Sequence, residues 1–492
     1  MEISDLTPAE RRVWEAFPLG EGVDFREGAD EDPGSGASWG PERTVRAKVL
    51  RALLLDGPSP GGEIPGLKVW GARITGRLSL RFGTIEHAVR LRSCHFDETP
   101  ELYGAQLPAL ILSDSVLPGL SAATVRVDVV LRLSRCRIAG PVRLPGAQVS
   151  GLFLDAAQLG TPGGRGADEP AEPPLQLNHA TIGTDAWAVG LVAHGQVRLN
   201  GATVGGQVNL DDAQLHTPGG TALHAETLQV GSDLRAMRLR AHGRINLTGA
   251  RIPGQLNLAY ARLSHPEGQA LRASSCTIGE LWLRGAAPVQ GGVNLRRSQL
   301  DLLHAVPEVW PDRVSLDGLT YRSLAPHLAA GERLRLLERD EGGYLPFAYE
   351  QLTSAYRTIG DEASARTVQL AKLRRHRRTL PRYARIWGAL QDATVGYGFR
   401  PMRAAGWLLA LLLAGSLAFA LEHPRPLKAG EAPAFNPVFY TLDLLMPIIG
   451  FGQEGAFAPQ GRYQWLSYLL IVTGWILATT IAAGITRSLS RQ

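Results

Sequence analysis

The chain has 492 residues, which is enough for about three domains, and 45% of them are hydrophobic. Its net charge of +5 is only mildly basic, and its three cysteines are too few for a disulfide framework. The first residues, MEISDLTPAERRVW, lack the basic and then apolar pattern of a signal peptide. The start of the chain is therefore expected to lie in the cytoplasm.

Residues 1–66 are predicted to form a helical cap. Thr7 and Pro8 are typical of the N-cap and the first position of a helix. A second helix is predicted over residues 42–55, where aliphatic residues recur at helical spacing. Such a cap would cover the strand edge at the end of the stacked β-structure that the next segment is expected to form.

Residues 67–320 place an aliphatic or aromatic residue at steps of about five or six. The clearest runs are Leu80, Ile85, Leu91 and Phe96; Leu133, Ile138, Leu144, Val149, Leu154 and Leu159; Leu199, Val204, Leu210 and Leu215; and Leu247, Ile252, Leu258 and Leu263. Neither an α-helix nor a flat amphipathic strand has this period. A chain that turns a corner at each step has it, which predicts a parallel β-solenoid of about eleven coils.

Small residues often stand two positions before a ladder residue. They include Ala147, Ala157, Ala202, Ala213, Ala250 and Ala261, and the cysteines Cys94, Cys136 and Cys276 take the same place. We therefore expect all three thiols to be small buried core groups rather than redox or metal sites. A longer echo supports the repeat, since Val197, Ile245 and Val293 open similar segments.

The steps resemble the pentapeptide-repeat pattern A-(D/N)-L-x-x. Gly201-Ala202-Thr203-Val204 and Asp212-Ala213-Gln214-Leu215 are degenerate copies of it. The resemblance covers about half of the chain and implies a right-handed, four-sided β-helix. Alternate steps have six residues instead of five, and Gln, Arg or Thr usually replaces the Asp or Asn of the pattern.

Residues 321–400 are predicted to be helical, and part of the segment resembles one tetratricopeptide-type hairpin. A helical plug over the last coil is the alternative. The end of the segment is strongly basic, and a solvated face, nucleic acid and anionic lipid headgroups are the three interpretations. Lipid headgroups are favoured because a predicted membrane span follows, while sparse aromatic residues disfavour nucleic acid. The predicted headgroup-binding residues are Arg374, Arg375, Arg377, Arg378, Arg382 and Arg385.

Residues 401–492 are predicted to form a transmembrane hairpin. Ala404–Leu421 carries no charge over 18 residues, or about 27 Å of helix, and Trp465–Ile485 is similarly apolar. Basic residues before the first span and after the second place both termini and the solenoid in the cytoplasm. The predicted location is thus the inner (plasma) membrane, with Gly406, Gly415, Gly474 and Gly484 allowing close helix contact.

The segment between the spans resembles the pore loop of two-span cation channels, whose filter reads T-(V/I)-G-(Y/F)-G-D. The four matching residues are Ile449, Gly450, Phe451 and Gly452. Ile448 and Gln453 stand where the filter has Thr and Asp. The two interpretations are an ion-conducting pore that the solenoid gates and a re-entrant helix that braces the hairpin.

Motifs for catalysis are missing from the sequence. It contains no Walker A loop, no H-E-x-x-H and no CxxC, and no G-x-G-x-x-G follows a strand. Histidines such as His194, His216 and His242 stand at no metal-ligand spacing. The sequence therefore predicts no catalytic residue, no cofactor and no metal site.

The arrangement of cap, solenoid, basic helix and hairpin resembles a group of bacterial proteins labelled membrane-associated oxidoreductases, which implies a redox activity as one alternative. The favoured prediction is a non-enzymatic scaffold or sensor tethered to the membrane. Its solenoid would bind an unidentified protein or a second copy of the chain, and nucleic acid is not an expected partner. A gated ion channel is the other alternative.

Overall fold

The computed structural model describes residues 5–28, 30–57, 63–163, 172–285, 288–382, 385, 401–428, 432–446 and 450–489, without the side chains of residues 305, 401, 402, 404 and 480–489. The chain divides into two compact units, residues 1–351 and 352–492. The first contains the cap and the solenoid, and the second contains the C-terminal helices.

Helix α1 spans Pro8–Ala16, and Thr7 is its N-cap as predicted. The Thr7 hydroxyl accepts a hydrogen bond from the Glu10 N–H, while the Glu10 carboxylate accepts one from the Thr7 N–H. This reciprocal capping box satisfies two backbone donors of the first turn. The Glu10 side chain is fully buried and also pairs with the guanidinium of Arg46. The pair joins α1 to the chain that leads into the second helix.

The second helix, α2, spans Ala47–Asp56, so the predicted start at residue 42 is wrong. Pro41–Arg43 form a 3-10 helix, and Thr44–Arg46 form a strand. That strand pairs in parallel with Arg73–Thr75 and so gives the first coil a hydrogen-bonded edge. The strand was not predicted, because its one aliphatic residue also fits the helical spacing of the aliphatic residues in α2.

The predicted parallel β-solenoid is confirmed, with about 11 turns. Its strands form two sheets in which successive turns pair in parallel. Sheet A comprises Val23–Asp24, Leu67–Trp70, Val89–Arg92, Gln106–Ile111, Arg126–Arg132, Gln148–Val149, Leu152–Phe153, Thr181–Ile182, Ala186–Trp187, Thr203–Val204, Val208–Asn209, Gln229–Val230, Leu234–Arg235, Arg251–Asn257, Thr277–Leu283, Gln299–Ala305 and Thr320–Ala325. Sheet B comprises Thr44–Arg46, Arg73–Thr75, His95–Phe96, Val116–Leu117, Leu120–Ser121, Arg137–Ile138, Val142–Arg143, Gln158–Leu159, Leu175–Gln176, Val192–His194, Val197–Arg198, Gln214–His224, Arg240–Asn246, Arg262–Arg272, Gln290–Asn294 and Val314–Ser315.

One coil shows how the sequence produces this arrangement. Val197–Arg198 lies in sheet B, the chain turns at Gly201, and Thr203–Val204 and Val208–Asn209 then lie in sheet A before the chain turns back at Asp212. Both turn residues have a positive φ, 63° and 59°. This left-handed conformation costs glycine nothing and aspartate little. Similar turns recur along the solenoid, which explains its many glycines.

The ladder residues predicted to point inward are buried. Leu199, Val204, Leu210 and Leu215 are each at most 5% exposed, so successive coils stack aliphatic side chains along a common core. The three cysteines are buried as well, as predicted. Burial raises the pKa of their thiols, to about 12 for Cys94. These groups contribute to packing.

The longer repeat in the sequence comes from coils of two lengths. His216 pairs with His242, whereas Leu223 pairs with Ile245, and the register shifts between these two pairs. Extra residues are therefore inserted between His216 and Leu223. The next coil, which contains His242 and Ile245, lacks this insertion. The coil after it carries one of the same kind between Ser264 and Leu271, since Ile245 pairs with Leu271 after a second register shift. One coil without the insertion and one coil with it therefore separate Leu223 from Leu271, and this separation is the offset of the echo.

The helices predicted after the solenoid are present. Helix α3 spans Ala330–Leu337, α4 spans Pro346–Thr358 and α5 spans Glu362–Thr379. Gly360, with a φ of 79°, separates α4 from α5. The Asp361 carboxylate caps α5 by accepting a hydrogen bond from the Ser364 N–H.

The remaining elements are α6 (Pro401–Leu421), α7 (Pro437–Leu445), α8 (Arg462–Leu489) and an antiparallel pair of strands, Arg425–Pro426 and Phe457–Ala458. The two predicted membrane spans fall on α6 and α8. Among the residues that the structure describes, none of the helices combines the length and the apolar character needed to cross a membrane. The transmembrane part of the predicted fold is therefore not supported.

Candidate functional site

A column of polar residues follows the outer face of sheet A. Its members, paired in register from coil to coil, are Gln106, Arg126, Gln148, Thr181, Thr203, Gln229, Arg251, Thr277, Gln299 and Thr320. All are exposed except Thr320, which is half-buried. Because parallel strands lie about 4.8 Å apart, this polar column presents amide, hydroxyl and guanidinium groups at regular intervals.

Glycines keep the surface beside the polar column flat. Gly183, Gly205 and Gly231 each stand two residues after a member of the column. A Cβ on Gly231 would lie 1.8 Å from the carbonyl oxygen of Gly205, and one on Gly205 would lie 2.2 Å from that of Gly183. The backbones of successive coils are in contact here, so a side chain does not fit. A flat, evenly spaced hydrogen-bonding surface suits contact with another macromolecule.

The C-terminal unit exposes large apolar side chains in rows. On α6, Leu409, Leu413 and Leu417 stand four residues apart and are 58–64% exposed. The corresponding residues of α8 are Trp465, Tyr468, Leu469, Val472, Trp475 and Ile476. Spacings of three and four residues place each row on one side of its helix. Exposed apolar surface of this extent is typical of a site that contacts lipid or protein.

A small aromatic core holds α6, α7 and α8 together. Its buried members are Phe419, Tyr440, Leu444, Leu445, Phe457 and Leu470. Gly415 and Gly474 allow close contact, as predicted. Gly406 does not, since a Cβ there would meet nothing within 4 Å, and Gly484 lies where side chains are not described. A Cβ on Gly415 would lie 2.4 Å from the Thr441 methyl, and one on Gly474 would lie 2.3 Å from the carbonyl oxygen of Leu445. Both glycines contact α7, so this short helix is an integral part of the bundle.

The arginines predicted to bind lipid headgroups lie at the end of α5 and directly after it. Arg378, Arg382 and Arg385 are exposed, and Arg374, Arg375 and Arg377 are half-buried. Residues 386–400, which continue the predicted juxtamembrane segment, lie outside the described residues. The six arginines therefore share one stretch of the chain, and their binding to lipid stays a prediction.

The residues of the predicted pore loop are Ile449, which lies outside the described residues, and Gly450, Phe451 and Gly452, which follow α7. The Phe451 ring lies 5.3 Å from that of Phe439. Gly452 has a φ of 79°, which suits a glycine turn. None of these contacts tests ion conduction, so the channel stays a prediction.

A buried carboxylate organises this loop. Asp443 on α7 accepts hydrogen bonds from the backbone N–H groups of Phe451, Gln453 and Glu454. The Gln453 side chain in turn donates to the carbonyl of Ala434 and accepts from the Asn436 N–H. The sequence pattern did not predict these contacts, because an aspartate in an apolar helix also fits a position at the membrane surface.

Three histidines that the sequence analysis treated separately are brought together on sheet B. His194, His216 and His242 stand in register, and their rings stack at centroid distances of 5.2 and 5.3 Å. Burial, followed by the charges of the two neighbouring histidines, lowers the pKa of His216. Within the described ranges, no group of three or more His, Cys, Asp or Glu side chains is placed to hold a metal ion.

The fold and these surfaces define a β-solenoid repeat protein with an attached helical unit. Comparison with family models, curated proteins and solved structures finds no match for the chain. The resemblance to membrane-associated oxidoreductases therefore has no support from relatives.

The polar column was missed by the sequence analysis, although a signal for it exists. In each coil a Thr, Gln or Arg directly precedes an inward residue, as Thr203 precedes Val204. These residues can be recognised as one column only when the number of residues in every coil is known. Those lengths vary, since a longer stretch of chain separates Gln148 from its partner Thr181 than separates Thr181 from its next partner, Thr203.

Proposed function

We propose that the protein is a non-enzymatic scaffold or sensor, tethered to a membrane by its C-terminal unit, whose solenoid binds a protein partner through the polar column. The observation that carries the proposal is the column itself, which is exposed over nine consecutive members and stands beside close-packed glycines in three successive coils. Evenly spaced side chains on a rigid rod can contact many groups of a partner at little cost in conformational entropy.

The membrane tether is supported by the exposed rows of α6 and α8 and by the basic residues that precede them. Leucine and tryptophan side chains outside a packed core gain free energy by leaving water, and lipid tails provide such an environment. Arginines beside an anionic leaflet add about 1 kcal/mol each. We place both termini and the solenoid on the cytoplasmic side, as the distribution of basic residues favours.

Site-specific photo-crosslinking tests the scaffold. A photoreactive residue at Gln148 or Gln229, both on the polar column, is expected to yield a discrete crosslinked protein in cells. Gln158 is the matched control, because it is also an exposed glutamine but lies in sheet B. Equal crosslinking at Gln158, or none at either column position, would contradict the proposal.

Membrane extraction tests the tether. The full-length protein is expected to stay with membranes washed in alkaline carbonate, and a triple variant of Leu409, Leu413 and Leu417 to Asp is expected to be released. The control is Ile64→Asp, which changes an apolar residue that is 85% exposed in the first unit and is expected to stay bound. Release of the unaltered protein by carbonate would refute the tether.

A further inference from the structure

A cleft of about 520 Å³ lies on the solenoid, where one corner meets sheet B. Its lining residues are Asp212, Gln214, Arg238, Arg240, Tyr260, Ala261 and Arg262. The volume lies within the range of small-molecule sites. Ala261 was expected to be buried like the other alanines of the repeat, and it is half-exposed because it lines this cleft.

Two arginines in the cleft occupy the same position in consecutive coils. Arg240 pairs in register with Arg262, and Gln214 precedes them in the same column. Both guanidinium groups are exposed, and neither forms an ion pair with a residue of the described ranges. Like charges placed opposite each other on neighbouring strands repel, so an anion bound between them would remove this repulsion.

The other side chains complete a positively charged site. Arg238 is fixed by Asp212, whose two carboxylate oxygens each accept a hydrogen bond of 2.6 Å. Three arginines against one aspartate leave a net charge of +2 in the cleft. Many other arginines of the solenoid have a carboxylate one coil away, as Arg235 has Asp211 at 2.8 Å. Here the second and third arginines face solvent instead.

An aromatic ring borders the site. Tyr260 is 51% exposed and stands at a turn with a φ of 61°. A bulky residue in this conformation is uncommon and carries backbone strain. Other coils place Gly190, Asp212 or Arg238 at this position. The ring therefore stands at a corner turn, beside the arginines.

We propose that this cleft binds a small molecule that carries a diphosphate group. Guanidinium groups pair with phosphate oxygens through two parallel hydrogen bonds, and Arg240 and Arg262 are offset by one coil, about 4.8 Å, so that each meets one phosphate. The Gln214 amide supplies a further donor, and Tyr260 offers a surface on which a planar substituent stacks. The site goes beyond the scaffold function and does not depend on the membrane tether.

Calorimetric titration of the full-length protein with pyrophosphate at constant ionic strength tests the site. Binding is expected for the unaltered protein, and Arg240→Ala or Arg262→Ala is expected to weaken it about tenfold or more, because a hydrogen bond to a charged group is lost. Arg90→Ala is the matched control, since this exposed arginine lies on sheet A outside both the cleft and the polar column, and it is expected to bind as the unaltered protein does.

Absence of pyrophosphate binding, or undiminished binding by the Arg240→Ala/Arg262→Ala variant, would overturn the proposal. Circular dichroism establishes that each variant is folded, and Arg240→Gln provides a second, milder change that must weaken binding as well. Titration with a nucleoside diphosphate distinguishes a diphosphate ester from the free diphosphate as the ligand. If the nucleoside diphosphate binds more tightly than pyrophosphate and Tyr260→Leu removes this gain, the ligand is an ester with a planar group. If the two bind equally, the diphosphate alone is recognised.

Discussion

The solenoid and the C-terminal unit use aliphatic residues in opposite ways. In the solenoid, residues such as Leu256 and Ile252 are fully buried between coils, and the outward column of sheet A is polar. In the C-terminal unit a few aromatic and leucine side chains form a small core, while Leu413 and Trp465 are 64% and 76% exposed. Among the described residues, the helical unit therefore leaves rows of large apolar side chains exposed, whereas the solenoid buries its aliphatic ladder.

The two regions also differ in what determines their structure. Each coil is held by hydrogen bonds and packing to the coils before and after it, so a single local pattern repeated many times determines the whole rod. The helical unit depends on a few specific contacts, such as those of Asp443 with the loop after α7. Four changes can break or sharpen this comparison.

The largest effect is expected from truncating a core leucine. Leu256→Ala should lower the free energy of unfolding of the solenoid by about 2–5 kcal/mol, because it leaves a cavity between coils. Leu413→Ala should change the stability by less than about 0.5 kcal/mol, since its side chain already lies largely outside the core. Urea unfolding followed by circular dichroism measures both, and similar losses would remove the distinction between the regions.

A smaller effect is expected at the cap. Glu10→Ala should cost about 2–3 kcal/mol, because the Thr7 and Arg46 N–H groups lose their acceptor. Burial raises the pKa of Glu10, but hydrogen bonds from Arg46 and Thr7 outweigh it, so the net pKa is lowered.

The sign of the pH dependence follows from that lowered pKa. The stabilisation is complete above the pKa of Glu10 in the unfolded chain and is lost as the pH falls through the lower pKa of the folded state. Thermal melts between neutral and acidic pH should therefore converge for the unaltered protein and Glu10→Gln. Parallel curves would show that the carboxylate is not responsible.

The glycine surface beside the polar column should tolerate no side chain. Gly231→Ala is expected to cost about 1–3 kcal/mol, since its Cβ would overlap the backbone of the preceding coil. Gly66→Ala is the control, because a Cβ there has only ordinary contacts at 3.8 and 4.0 Å. Thermal unfolding compares the two, and equal stability would mean that the coils can separate locally.

The smallest effect concerns the basic stretch. In nanodiscs with anionic lipid, trypsin should cleave the full-length protein after Arg378, Arg382 and Arg385 about fivefold more slowly than in neutral discs. Each arginine near such a surface gains about 1 kcal/mol. High salt should abolish the difference. Identical cleavage rates in both lipids at low salt would show that these arginines face solvent and do not bind lipid headgroups.

The core of the solenoid could be predicted from the sequence because the same inward position recurs in every coil. The predicted ladder residues Leu247 and Ile252, for example, are buried. Outward positions carry no such constraint. Their residue types vary, and their neighbours are set by coil length, so the polar column and the basic cleft emerge only in three dimensions.

The C-terminal unit was predicted less well for a physical reason. Hydropathy identifies apolar helices but not what covers them, and the same leucine-rich pattern fits a membrane span, a protein contact or a buried bundle. The sequence indicated that Gly415 and Gly474 allow close helix contact, but it did not indicate that the contacted helix is α7.

The short insertions beside His216 and after Ser264 fall at the same place in their coils and leave the remaining strand pairs aligned. The solenoid therefore has a position at which a coil can change length while all the other strands stay paired with the same neighbours. In evolution or in engineering, new surface segments can be added there as a graft, without redesigning the stack that supports them.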